Sequence, residues 1–200
     1  MKKIFLAFLF VVILFCAYKI AYKIANKTSS NTEKIDAVQV NAVKKMINGN
    51  AKYNDEIAFF IDMKKHSGKN RFFVYDLKQN KIIDQGLVAH GSGSETNVTA
   101  KLKFSNVQNS LSTSLGKYAI GNHYNGKFGK AYKLYGLDAT NSNAFSRDIV
   151  FHYYFDVPYK EQDNYICNSY GCPMVNRQYF ERIAKLIDHS KSAIVMNIYY

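Results

Sequence analysis

From about residue 57 the chain is a succession of short β-branched and aromatic runs, and this limits its fold more than any other feature. Residues 57–62, 71–77 and 81–89 each have the length and composition of a strand, the last two joined by a turn at Lys78-Gln79-Asn80. Residues 116–120, 131–136, 148–155 and 193–200 continue the series. Sixteen Tyr and 14 Phe among 200 residues favour strands and argue against disorder. Helical spacing is clear at residues 177–189, with Asn176 as N-cap and Phe180, Ile183, Ala184 and Ile187 as the buried stripe. An earlier helix follows Ser30, which forms a capping box with Glu33. Its stripe is Ile35, Val38, Ala42 and Met46, and Gly49 ends it. The expectation is a mainly β domain over residues 51–200, with a helix near each end and no internal repeat.

The start of the chain reads differently. Met1-Lys2-Lys3 precedes an apolar run over residues 4–18, the pattern of an export signal or short membrane anchor. Lipidation at Cys16 is disfavoured because the bulky Phe15 precedes it. Ala21 and Ala25 offer only a weak cleavage site, so the segment (residues 1–25) is expected to be kept as an anchor. Residues 26–50 then form a linker and the first helix. The predicted location is the cell envelope or periplasm.

Net charge is +12, of which five lysines in residues 1–27 supply +5. The remaining lysines are spread along the chain instead of clustered, and no nucleic-acid module is present, so nucleic acid is not an expected partner. The excess of cations suits carboxylate-rich or polyanionic substrates, or simply a solvated basic surface.

Chemistry concentrates at Asn168-Ser169-Tyr170-Gly171-Cys172-Pro173. Glycine before the cysteine permits unusual backbone angles, and proline after it fixes φ and removes a donor. Such a turn aims one thiol and one N–H at a small target. The thiol needs a partner to ionise. Of five histidines, His66 and His189 suit solvated or structural roles, and His123 lies in a glycine-flanked loop. His152 interrupts the strongest strand, and 20 residues separate it from Cys172, enough for a strand, a crossing loop and a return. The helix from residue 177 also brings a positive N-terminal end nearby. A zinc site from His90, His123, His152 and Cys172 lacks the short ligand spacing of common zinc motifs.

The order histidine, then cysteine, on a β scaffold is that of transpeptidases. Sortases add an essential arginine on a strand soon after the cysteine, whereas Arg177 and Arg182 fall on the predicted helix. Residues 149–152 followed by Ser169-x-Gly171-Cys172 resemble the catalytic segment of the YkuD-type L,D-transpeptidases, in particular the murein L,D-transpeptidase catalytic domain. The likeness runs from about residue 57 to the C-terminus. It includes residues 59–94, KFSN (103–106), SLGKY (114–118), YNGKFGKAYKLYGLD (124–138) and NAFSRDIVFH (143–152).

The resemblance implies a β-sandwich-like catalytic domain acting on peptidoglycan stem peptides, with Cys172 as nucleophile and His152 as acid/base. Terminal D-alanine leaves, and an amine of a neighbouring stem takes the acyl group. Transfer to water instead would make an L,D-carboxypeptidase, and loss of chemistry would leave a wall-binding protein. Gly171 and Cys172 offer backbone oxyanion donors. Ser169 either bonds the imidazole or holds the turn, and His90 in the His90–Ser94 loop either lines the cleft or belongs to a plain turn. No metal or organic cofactor is implied, and carbapenem-type inhibitors are expected to react.

The chain departs from the family pattern in three places. Tyr153 stands where glycine is usual and is expected either to change the local backbone or to narrow the cleft. Tyr170 replaces a histidine. Pro173-Met174 replaces an Ile-Arg pair, leaving Arg147 either as the substitute for a substrate-orienting arginine or as a plain strand-edge arginine. Cys167 is expected not to be permanently bonded to Cys172, since that bond would consume the nucleophile.

Overall fold

In the computed structural model, which describes Lys19 and residues 34–200, nine strands form one sheet. They are β1 (Tyr53–Asp62), β2 (Phe72–Asp76), β3 (Lys81–Gly86), β4 (Val88–Ala89), β5 (Gly116–Gly126), β6 (Gly129–Gly136), β7 (Val150–Tyr153), β8 (Met174–Val175) and β9 (Ala193–Tyr199), in the order β3-β2-β1-β9-β5-β6-β7-β8-β4. Helices α1 (Ala37–Ile47) and α2 (Arg177–His189) lie near the two ends of the unit Ile35–Tyr200. The apolar start, Cys16, the linker and the Ser30–Glu33 box fall outside the described residues. Among the described residues no helix is long and apolar enough to cross a membrane.

The run 81–89, expected as a single strand, is two. β3 ends at Gly86 and β4 begins at Val88, yet they occupy opposite edges of the sheet. With Leu87 alone between them, the sheet must curl until its edges meet, which gives the sandwich-like form. Gly86 permits the crossing: a Cβ there would lie 2.5 Å from Cδ1 of Tyr179. The pair Met174–Val175 was too short to be read as a strand, but it pairs with both β4 and β7.

Strand alternation divides the core. Phe59 and Ile61 of β1, Phe72 and Val74 of β2, and Met196 and Ile198 of β9 face inward, where Tyr179, Phe180 and Ile183 of α2 cover them. Ala58, Phe60, Phe73, Tyr75 and Val195 face the other way, against α1. Burial on both faces is why these strands read as continuous apolar runs. Helix α2 has the bounds and Asn176 cap expected, although Tyr179 joins the buried stripe and Ile187 is only partly covered.

Helix α1 corrects two expectations. It starts at Ala37 under an Asp36 cap, whose carboxylate accepts the Val38 N–H at 2.8 Å. Its buried face is Val40, Val43 and Ile47, while Val38 is 68% exposed. Apolar residues lie on more than one face of this helix, so spacing alone could not choose the stripe that meets the sheet. Gly49 does follow the helix at φ +68°.

Candidate active site

Strands β7 and β8 run parallel with His152 opposite Met174. Two residues back along each chain, Val150 and Cys172 face one another, and the Val150 N–H donates to Cys172 Sγ at 3.4 Å. Positions two apart share a face of a strand. Val150 and His152 therefore share a face of β7, while the turn just before β8 carries Cys172; thiol and imidazole come from these two neighbouring segments. Both line a groove of about 410 Å³ with Lys127, Phe128, Tyr154, Asn168, Ser169, Tyr170 and Met174.

The turn before Cys172 is held on every side. Gly171 has φ +118°, and a Cβ there would lie 2.9 Å from both Ile149 Cδ1 and the Ser112 carbonyl. Ser169 Oγ accepts the Gly171 N–H at 3.0 Å. The Ser169 N–H donates to the His90 carbonyl at 2.8 Å, and the Ser92 N–H to the Ser169 carbonyl at 2.7 Å. Ser169 thus holds the turn, and the His90–Ser94 loop is its backbone partner.

The ionisation states follow from these surroundings. Burial pushes the Cys172 thiol up, against the opposing pull of the Val150 N–H and the Arg147 charge. Burial lowers His152, although the Tyr153 carbonyl opposes this. That carbonyl lies 3.0 Å from His152 Nδ1. A carbonyl only accepts, so Nδ1 carries the hydrogen and Nε2 keeps its lone pair. At neutral pH Cys172 rests as a thiol that donates to the Asp148 carbonyl at 3.7 Å, and His152 as a neutral imidazole. Phe128 stacks on the ring, with centroids 5.4 Å apart and planes at 17°.

The family model described as L,D-transpeptidase catalytic domain matches residues 26–196. The chain belongs to this family. No curated protein matches it. Solved structures similar to it include the Ldtfm-avibactam carbamoyl enzyme (10% identity, TM-score 0.45, 74% of this chain and 50% of that one). Others are the L,D-transpeptidase from Xylanimonas cellulosilytica (12%, 0.39, 73% and 61%) and the helical cell shape determining protein Pgp2 from Campylobacter jejuni (13%, 0.44, 80% and 54%). The chain spans only about half to three fifths of the length of these structures.

Within this L,D-transpeptidase domain, several expected site residues lie away from the groove. Tyr153 does not narrow it. Being one residue from His152, it points to the opposite face, where it packs on Phe180 at 5.6 Å between centroids and beneath the Arg177 guanidinium. Arg147 is not free to orient substrate either. It donates to the carbonyls of Ser105 (2.9 Å) and Ser112 (2.7 Å) and to the hydroxyls of Ser110 (3.1 Å) and Ser114, pinning the 105–114 loop beneath Gly171. Tyr170 does line the groove, 78% exposed.

The His90 ring is buried outside the groove. Its Nδ1 accepts from Arg71 Nη2 at 2.8 Å, because a guanidinium has only donors, which leaves Nε2–H for Glu95 at 2.7 Å. Arg71 is 1% exposed, and burial pulls it down to about 10, so it remains charged at neutral pH. Glu95 also accepts from Asn168 Nδ2 at 3.3 Å, which ties this relay to the turn before Cys172. His123 lies in another hollow, 3.8 Å from Asp188. The cap of α2 is satisfied by Asn176, whose side chain accepts the Gln178 N–H. Cys167 and Cys172 are both free thiols.

Phe128, Arg71, Glu95 and Asn168 were missed as contributors. The glycine-bracketed turn Gly126-Lys127-Phe128-Gly129 was the available signal for the first. A buried Arg–His–Glu relay leaves no local spacing pattern.

Proposed function

We propose that this chain is a peptidoglycan L,D-transpeptidase working through a Cys172 acyl-enzyme. The reading is carried by one observation: Cys172, in the turn before β8, and His152, on the neighbouring parallel strand β7, line a single groove. His152 Nε2 takes the thiol proton as Sγ attacks the carbonyl on the L-centre of the diamino acid in a stem tetrapeptide. The oxyanion accepts from the N–H of Cys172 itself, since Gly171 gives its own to Ser169. Collapse breaks the peptide bond, and the imidazolium returns its proton to the departing D-alanine amine. An acceptor-stem amine then attacks the thioester, gives its proton to His152, and restores the thiol. No metal or organic cofactor enters this sequence. Arg71, His90, Glu95 and Arg147 serve as positioning residues.

Incubation with disaccharide-tetrapeptides tests the reading. Release of D-alanine with appearance of crosslinked dimers is expected from the intact protein, and neither from Cys172→Ala. Trimmed tripeptide without dimers would instead assign an L,D-carboxypeptidase. Absence of both, with an unreactive Cys172, would leave only a wall-binding role. Polymerised peptidoglycan lies outside the cytoplasmic membrane, so the reading includes export, supported by the basic-then-apolar start at residues 1–18. A reporter fused after residue 50 should work only in an exported compartment.

A further inference from the structure

The tip of the β5–β6 hairpin brings a cation to the active-site groove. Gly126 pairs with Gly129, leaving Lys127 and Phe128 as the two tip residues. Gly129 takes φ +85°, and a Cβ there would come 3.0 Å from Tyr153 Oη. A turn closed this tightly fixes the direction of what it carries. Phe128 lies against His152, and Lys127 Nζ is 5.6 Å from the Phe128 ring centroid.

Charge pairing sets Lys127 apart from its neighbours. Lys117 pairs with Asp138 at 2.9 Å, Lys130 with Asp188 at 2.5 Å and Lys133 with Asp148 at 3.5 Å. Lys127, also on this hairpin, is exposed and has no carboxylate partner among the described residues. Among the described residues no carboxylate lines the groove, and Lys127 is its only lysine or arginine. Arg147 is not placed to pair with a substrate carboxylate, because both of its Nη atoms donate to the 105–114 loop.

We infer that Lys127 Nζ is the carboxylate-recognition group of the donor site. This rests on the proposed function, under which the groove receives a stem peptide carrying two carboxylates near the scissile bond. One is the α-carboxylate of the terminal D-residue, and the other is the free carboxylate on the side chain of the diamino acid. A lysine on a flexible stem can pair with either as a point charge.

Three synthetic tetrapeptide stems separate the sources: one with both carboxylates free, one with a C-terminal amide and one with the side-chain carboxylate amidated. Acyl-enzyme formation is followed by intact mass for the wild type, Lys127→Met and Lys127→Arg. On the free stem, Lys127→Met should lower kcat/KM about 5- to 20-fold, through KM, and Lys127→Arg should keep most of it. The wild-type KM should rise with ionic strength more steeply than that of Lys127→Met. The Lys127→Met defect should vanish on whichever amidated stem lacks the recognised carboxylate, which identifies the source. A wild type that acylates while Lys127→Met matches it, or loses equally on all three stems, overturns the inference alone. A wild type that acylates with none of the stems overturns the proposed function and this inference with it.

Discussion

At the scale of single residues, the pair at the centre is neutral at rest, and its pH dependence follows. His152 is held below its ordinary value by burial, and Cys172 above its own. Acylation should therefore rise with pH through a point below 6.5, as the imidazole loses its proton, and stay level through neutrality. Stopped-flow acylation by a β-lactam checks this, and His152→Ala should both remove the inflection and slow the reaction by about 10²–10⁴-fold. A control at His123, which lies in another hollow, should change the rate little. At Arg147, lysine cannot hold four acceptors on the 105–114 loop at once. Arg147→Lys should lower stability by about 1–3 kcal/mol in urea unfolding and slow acylation as the support under Gly171 loosens.

At the scale of elements, the turn before Cys172 depends on a backbone conformation that only glycine takes cheaply. Gly171→Ala combines a left-handed φ with a Cβ 2.9 Å from Ile149 and Ser112. It should cost about 1–3 kcal/mol and move the thiol off the groove, seen as lost acylation with a cooperative thermal transition retained. The sequence made this element legible because Gly-Cys-Pro is an unusual triplet, and His152 because it interrupts a strand. Direction was harder to read. Tyr153 turns away because alternate residues face opposite sides, and Arg147 is occupied because the 105–114 loop folds over it. Both are facts of tertiary placement with no local pattern. The same limit applies to α1, where several apolar faces were available and the sheet selected one. Elements with a single strong periodicity, such as α2, were read almost to the residue.

At the scale of the whole molecule, curling of the sheet brings β4 beside β8 and places the His90–Ser94 loop against the turn before Cys172. The strand runs were legible, but the crossing at Leu87 was not, because nothing local marks two strands with one residue between them as opposite edges. Arg71 secures this closure, its Nε and Nη2 donating to the Val88 carbonyl at 3.0 and 2.7 Å. Arg71→Ala would leave that carbonyl, His90 and Glu95 without their cation, and should cost about 3 kcal/mol or more in urea unfolding. Under the proposed function this architecture makes Cys172 an acylating thiol served by His152. Intact-mass analysis of the protein with a carbapenem, followed by peptide mapping, tests it most directly. One adduct per chain on Cys172 is predicted, retained in Cys167→Ser, slowed in His152→Ala and absent in Cys172→Ala; an adduct on Cys167, or none on Cys172, would contradict it.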